Sequence, residues 1–273
     1  MDQAIPPRTK VLVFDSGLGG LTVLREIGRA RADVDLCLVA DDAAFPYAHL
    51  GDRELTDRVV LVLERFISEL APDLVVIACN TASTLALPAL RARFALPFVG
   101  TVPAVKPACA QSKSKRISVL ATSATVRRDY THELIREFAS QCQVTLVGSE
   151  RLAGHAEAVL RGEAAADAAI RAEIEPCFVD DGARTDTIVL ACTHYPLIID
   201  RLESLAKWPV NWLDPAPAIA RRASQLLGAA RPAKGGPGRA YFTSGRRVSP
   251  TLARALADFG ITSVEEEPIR VPV

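Results

Sequence analysis

The sequence offers little that would take it to a nucleic acid or a membrane. Lysine plus arginine balance aspartate plus glutamate at 32 each, for a formal net charge of zero. No run of one sign suggests a tail or a phosphate-tracking face, so nucleic acid is not expected as a partner. No stretch approaches the roughly 20 apolar residues that span a bilayer. The opening MDQAIPPRTK lacks the apolar h-region of a signal peptide. These absences lead to the expectation of a chain that works in the cytoplasm.

Signs of cofactor chemistry are equally sparse. Six cysteines, at 37, 79, 109, 142, 177 and 192, form no C-x-x-C pair. Only His49, His132, His155 and His194 could join them as zinc ligands. A metal cage would have to be assembled from scattered residues, and none is expected. None of the lysines (Lys10, Lys106, Lys113, Lys115, Lys207, Lys234) sits in a convincing Schiff-base setting for PLP. At 273 residues and 49% hydrophobic, the chain is long and core-rich enough to do without disulfide staples. Most of its cysteines are therefore expected to be small buried hydrophobes.

What is present is alternation. Strand-like apolar runs, such as KVLVFD (10–15), VDLCLVAD (34–41) and DLVVIAC (73–79), are separated by stretches with helical spacing. DRELTDRVVLVLERFISEL (52–70) is the strongest helix, with an acidic first turn and Pro72 just beyond its end. The pattern restarts with KRISVLAT (115–122), a helix over 125–139, QVTLVGS (143–149) and DTIVLAC (186–192). It closes with VNWLD (210–214), a helix at 216–228, the Gly/Pro-rich loop 231–240 and a last helix near 249–258. Such a succession predicts an α/β fold with mostly parallel sheets, whose ligands bind at the carboxyl ends of the strands.

Two of those ends carry nearly the same phrase. VIACNTAS (76–83) and TIVLACTHYPL (187–197) are both apolar runs that stop on Ala-Cys followed by small polar residues. The two halves also open alike, on VLVFDSGLGGLTVLREI and ISVLATSATVRRDYTHELI, each a strand, a turn of small residues and a helix. Two pseudo-symmetric lobes facing each other would bring one thiol to each side of a bound ligand. That arrangement suits racemisation, which needs a base on one face of Cα and an acid on the other. Cysteine serves as either, according to its protonation. A non-catalytic two-lobed binding protein with structural cysteines is the alternative from a different class.

VFDSGLGGLTVLREI, VIACNTAS, VPAVKPA and IVLACTHYPL, in this order and spacing, resemble the cofactor-independent glutamate racemases over residues 10 to 260. The Gly-rich turn alone is a weak signal, since it could equally cradle a phosphate. The two cysteine motifs together are a strong one. The resemblance implies glutamate as substrate, no cofactor, a homodimer and supply of D-glutamate for peptidoglycan. A sibling racemase acting on aspartate or a related acid stays open. The family architecture implies a first lobe of residues 1–100 plus 210–273 and a second of 101–209, with the active site in the cleft between them.

The same resemblance assigns roles. Cys79 would deprotonate the D-enantiomer and Cys192 the L-enantiomer. Asp15 and Ser16 would lie beside the first cysteine, Asp15 holding the substrate ammonium or assisting the thiol, with a helix N-cap as its other reading. His194 and Glu157 would flank the second cysteine, with Glu163 and Glu150 as alternatives to Glu157. Asn80, Thr81 and Thr193 follow their cysteines and would bind carboxylate oxygens. FPYAHLGD (45–52) looks like the family's P-Y-G-x-x-S loop, so Pro46, Tyr47 and the Ala48 N–H would hold the side-chain carboxylate. Ala48 and Gly51 replace the usual Gly and Ser, and the Ala48 N–H serves only if φ there is not positive. Thr125, in the matching turn of the second lobe, would be a further ligand.

Overall fold

Runs that are apolar at every position become strands because both of their faces are covered. In β1 (Thr9–Asp15), Val11 and Val13 enter one core while Leu12 and Phe14 enter another, and all four are fully buried. The computed structural model describes residues 8–232 and 234–269. Outside them lie the opening segment 1–7, residue 233 of the Gly/Pro-rich loop, and 270–273 at the sequence-read end of the first lobe. After β1 come α1 (Gly20–Ala30), β2 (Val34–Ala40) and α2 (Asp52–Leu70). Along α2, Leu55, Val59, Val62, Leu63 and Phe66 form one buried stripe. Full burial of each such side chain stabilises the fold by about 1.5–3 kcal/mol. β3 (Leu74–Ile77), α3 (Asn80–Arg93) and β4 (Phe98–Val99) complete this run.

The chain continues through α4 (Val105–Gln111), β5 (Arg116–Thr122), α5 (Ser123–Val126), α6 (Asp129–Phe138) and β6 (Gln143–Ser149). Next come α7 (Leu152–Arg161), α8 (Asp167–Ile174), β7 (Thr187–Ala191), α9 (Ile199–Leu205) and β8 (Asn211–Leu213). α10 (Ala216–Leu227), β9 (Gly238–Phe242), α11 (Pro250–Asp258) and β10 (Ile261–Glu266) follow. Among the described residues two sheets result: six strands ordered β10-β9-β2-β1-β3-β4, and four ordered β6-β5-β7-β8. All their pairings are parallel. Helices pack on both faces of each sheet, giving four hydrophobic clusters. Among the described residues no helix is long and apolar enough to cross a membrane.

The structure departs from the sequence reading in four places. Asn211–Leu213, assigned to the first lobe by a boundary at 210, instead pairs with β7 in the second sheet. There Trp212 lays its ring edge-on to Phe178, with centroids 6.2 Å apart. VPAVKPA, quoted from the sequence only as a motif of the resemblance, holds α4, with Pro107 as its third residue, where an N–H has no partner within the helix anyway. The helix expected over 125–139 is two, broken where Arg128 turns extended (φ −76°, ψ 133°). The Thr131 hydroxyl donates to the Thr125 carbonyl at that break, 2.7 Å away. β10 has no counterpart in the sequence reading, since this edge strand fully buries only Ile261.

Candidate active site

Four strand ends supply the polar side chains. β1 ends on Asp15, and β3 runs on to Cys79, which takes extended geometry (φ −61°, ψ 120°) immediately before α3. β5 ends on Thr122, whose hydroxyl accepts the Thr125 N–H at 3.2 Å and caps α5. β7 is followed by Cys192, Thr193 and His194. Cys79 from one sheet and Cys192 from the other line a single narrow cleft. Ser16, Pro46, Tyr47 and Ala48 share its walls, as do Asn80, Thr81, Thr193 and His194. Phe45 and Thr122, which the sequence did not single out, line it as well.

The two thiols stand in different surroundings. Cys192 Sγ lies 3.8 Å from Nδ1 of His194, and Nε2 of that ring lies 3.0 Å from Glu157 Oε1. Burial disfavours a charged ring, yet the contacts to Cys192 and Glu157 outweigh it and hold His194 well above its ordinary value. Burial likewise works against ionised Glu157, but His194, the Leu18 N–H and Arg161 keep it below the usual carboxylate range. The Gly19 N–H also approaches Nε2, at 3.2 Å, but a doubly protonated ring has no acceptor to offer, so Glu157 takes the bond. Glu163 sits instead at the rim of an outer cavity, and Glu150 is exposed. Phe45 packs on the imidazole, with centroids 5.2 Å apart.

Cys79 has no such partner. Its burial, then the nearby Asp15 carboxylate, push its thiol up to about 12. Asp15 is itself raised, by burial first, against the pull of His194 and the Thr193 hydroxyl. Its Oδ2 accepts from that hydroxyl at 2.8 Å and its Oδ1 from the Gly17 N–H at 3.1 Å, so this carboxylate joins the lobes rather than lining the cleft. Asn80 is buried, and neither its amide nitrogen nor its oxygen finds a partner among the described residues. Thr125 is fully buried in a cluster of hydroxyls, 3.0 Å from Thr122 and 3.3 Å from Thr81, behind the cleft wall.

The Gly-rich turn is explained by close approach, not by a phosphate. A Cβ on Gly19 would collide with Thr193 Oγ1 and stand 2.6 Å from His194 Nδ1. One on Gly17 would collide with Glu157 Oε1. Gly19 has helical geometry (φ −57°, ψ −33°), so alanine there meets no backbone strain, only the opposite lobe. Gly19→Ala is expected to cut kcat/KM about 10²-fold by displacing the Cys192 side, with a far smaller effect on thermal stability. Steady-state kinetics beside a melting curve checks this, and a fully active variant would show that the contact is dispensable.

The loop from Phe45 to Gly51 keeps its backbone donor. Tyr47–His49 form one 3-10 turn, and Ala48 is not among the residues of positive φ, so its N–H is unaffected by the methyl group. At Gly51 a Cβ would meet open space. Beneath the loop is a cluster that the sequence did not reveal. Fully buried Asp41 accepts from Arg58 Nε (2.9 Å) and Nη2 (2.5 Å), from the Tyr47 hydroxyl and from the Thr243 hydroxyl.

The family model of Asp/Glu/hydantoin racemases matches residues 19–223. The chain belongs to that family. This racemase, an isomerase, is 52% identical to the glutamate racemase of Agrobacterium fabrum over 92% of its own length and 93% of the relative's. It is 48% identical to that of Brucella canis, with 94% of each chain covered. Escherichia coli glutamate racemase, in complex with L-glutamate and the activator UDP-MurNAc-Ala, superposes with a TM-score of 0.88 at 37% identity. That match covers 97% of this racemase and 100% of the other. The Bacillus anthracis enzyme superposes at 0.81 with 26% identity, over 97% and 98% of the two chains. The resemblance carried by the cysteine motifs is thus borne out.

Proposed function

We propose that this racemase interconverts L- and D-glutamate by proton transfer at Cα between Cys79 and Cys192. The observation that carries the reading is that one thiol from each sheet reaches the same narrow cleft. From L-glutamate, the Cys192 thiolate takes the α-proton and becomes a thiol, while the C–H electron pair moves toward the α-carboxylate. The Cys79 thiol then gives its proton to the other face and is left as the thiolate. D-glutamate runs the same steps backwards, with no net change in protons or electrons. A buried Cys79 raised to about 12 is a thiol at neutral pH, which is the acid that L-glutamate requires.

Asn80, Thr81 and Thr193 hold the α-carboxylate and stabilise charge as it develops there. Asn80 supports this best, since its unpartnered amide gains bonds only when a ligand arrives. Pro46, Tyr47 and the Ala48 N–H receive the side-chain carboxylate. Ser16 and Asp15 act on the Cys79 side, His194 and Glu157 on the Cys192 side, and Thr125 backs the hydroxyl cluster. The kinship with bacterial glutamate racemases supports a cytoplasmic homodimer of two-lobed subunits that supplies D-glutamate for peptidoglycan.

Circular dichroism of L- and D-glutamate solutions tests the reading, with aspartate as control and neither PLP nor metal added. Loss of optical signal to zero from both enantiomers of glutamate is the expected result. Activity abolished by a chelator, dependent on PLP, or confined to aspartate would overturn it.

A further inference from the structure

We propose that Arg161 is a positioning residue for the reaction, pinning Glu157 in the orientation that keeps His194 against Cys192. The inference rests on the two-thiol reading and concerns one of its two proton transfers. Glu157 and Arg161 are four residues apart on α7 and so share a face. The Glu157 carboxylate divides its two oxygens. Oε1 takes the Leu18 N–H at 2.5 Å and faces His194 at 3.0 Å. Oε2 takes both Nε and Nη2 of Arg161, at 3.3 and 3.1 Å.

Glu157 and Arg161 also form part of the wall of a broad outer cavity that neither thiol lines. Without the guanidinium, Oε2 faces that water-accessible space and only Oε1, on the Leu18 N–H and His194, still holds the carboxylate, so it can turn and loosen the outer support of the imidazole. Arg161 is well placed to prevent this because its own backbone is fixed. It is the last residue of α7, which stops at Gly162 in left-handed geometry (φ 77°). A Cβ on Gly162 would come within 2.7 Å of Thr251 Cγ2 on α11, so the helix end is seated on the first lobe. Arg161 braces nothing on the Cys79 side, whose polar neighbours are Asp15 at the end of β1 and Ser16 just after it. Loss of Arg161 therefore burdens the Cys192 transfer alone.

The test compares the parent enzyme with Arg161→Met and Arg161→Lys. It measures kcat/KM in both directions, and the isotope effects from L- and D-glutamate deuterated at Cα. Enantiomers have equal free energy in water, so Arg161→Met must lower kcat/KM alike in the two directions, by roughly tenfold. The isotope effects should separate. With deuterated L-glutamate the effect rises, because removal of that proton by Cys192 becomes more fully rate-limiting. With deuterated D-glutamate it falls toward unity, because the slow step now follows removal by Cys79. Arg161→Lys, which keeps the charge, should recover most of the loss. Partial unfolding would lower the active fraction and leave both isotope effects unmoved. Isotope effects that stay put or move together, or a lysine variant no better than methionine, would overturn the proposal. A parent enzyme inactive on glutamate would overturn the underlying reading instead.

Discussion

Replacing either cleft thiol by serine is expected to slow racemisation by roughly 10²–10⁴-fold, because a serine hydroxyl is far too weak an acid to exchange roles with a thiolate. The two variants should fail differently. Cys79→Ser keeps Cys192 and is expected to exchange the α-proton of L-glutamate with heavy water without inverting it. Cys192→Ser keeps Cys79 and should exchange D-glutamate instead. In the parent enzyme, product formed early in heavy water should carry deuterium at Cα, since the proton delivered is not the one removed. Nuclear magnetic resonance of the α-position reads all three. Variants that racemise near the parent rate, or product retaining its original hydrogen, would remove the two-thiol mechanism.

The second large effect concerns stability. Asp41→Ala is expected to destabilise the protein by about 3–5 kcal/mol, the usual consequence of stranding one member of a buried ion pair. It leaves the Arg58 guanidinium without its carboxylate and the Tyr47 and Thr243 hydroxyls without their acceptor. Urea unfolding, with the midpoint compared at constant slope, measures the change. The double variant Asp41→Leu, Arg58→Met should lie closer to the parent than either single variant, because two apolar groups leave no buried charge unpaired. Both proteins should show a raised KM for glutamate, since Tyr47 loses the anchor that fixes the loop over the cleft. An unchanged KM would mean that the loop is held by its other contacts.

Much of this molecule could be read from its sequence because parallel strands buried on both faces appear as uninterrupted apolar runs. Val11 to Phe14 and Ile188 to Ala191 are of that kind. The features that escaped depend on what a segment meets in space. Pro107 looks like a helix breaker until its place in the first turn of α4 is known. Ser263, Glu265 and Glu266 disguise an edge strand, and the sheet of the Trp212 segment is set by its pairing with β7 and its packing on Phe178, which lie well apart from it in sequence. At the site, the cysteines and their polar followers are contiguous motifs and were legible. Phe45 was not, because it carries no reactive group, and Thr122 was not, because it precedes its turn as an ordinary strand end and helix cap. The Asp41–Arg58 cluster joins residues from after β2, from the Tyr47 turn, from α2 and from after β9, and no local pattern foretells that meeting.

The cleft is fastened along both of its edges. Thr193 donates to Asp15 and the Leu18 N–H to Glu157 on one side. On the other, the hydroxyls of Thr81, Thr122 and Thr125 meet, and Arg128 bonds Asp52. A dicarboxylate substrate that entered by release of one edge, and left as product by the same edge, would pass one gate in both directions, and such motions fall in the microsecond-to-millisecond range. Where that gate rather than proton transfer is slow, the maximal turnover of the two enantiomers becomes equal, however unlike the surroundings of Cys79 and Cys192. Added viscogen would then slow both directions to the same extent.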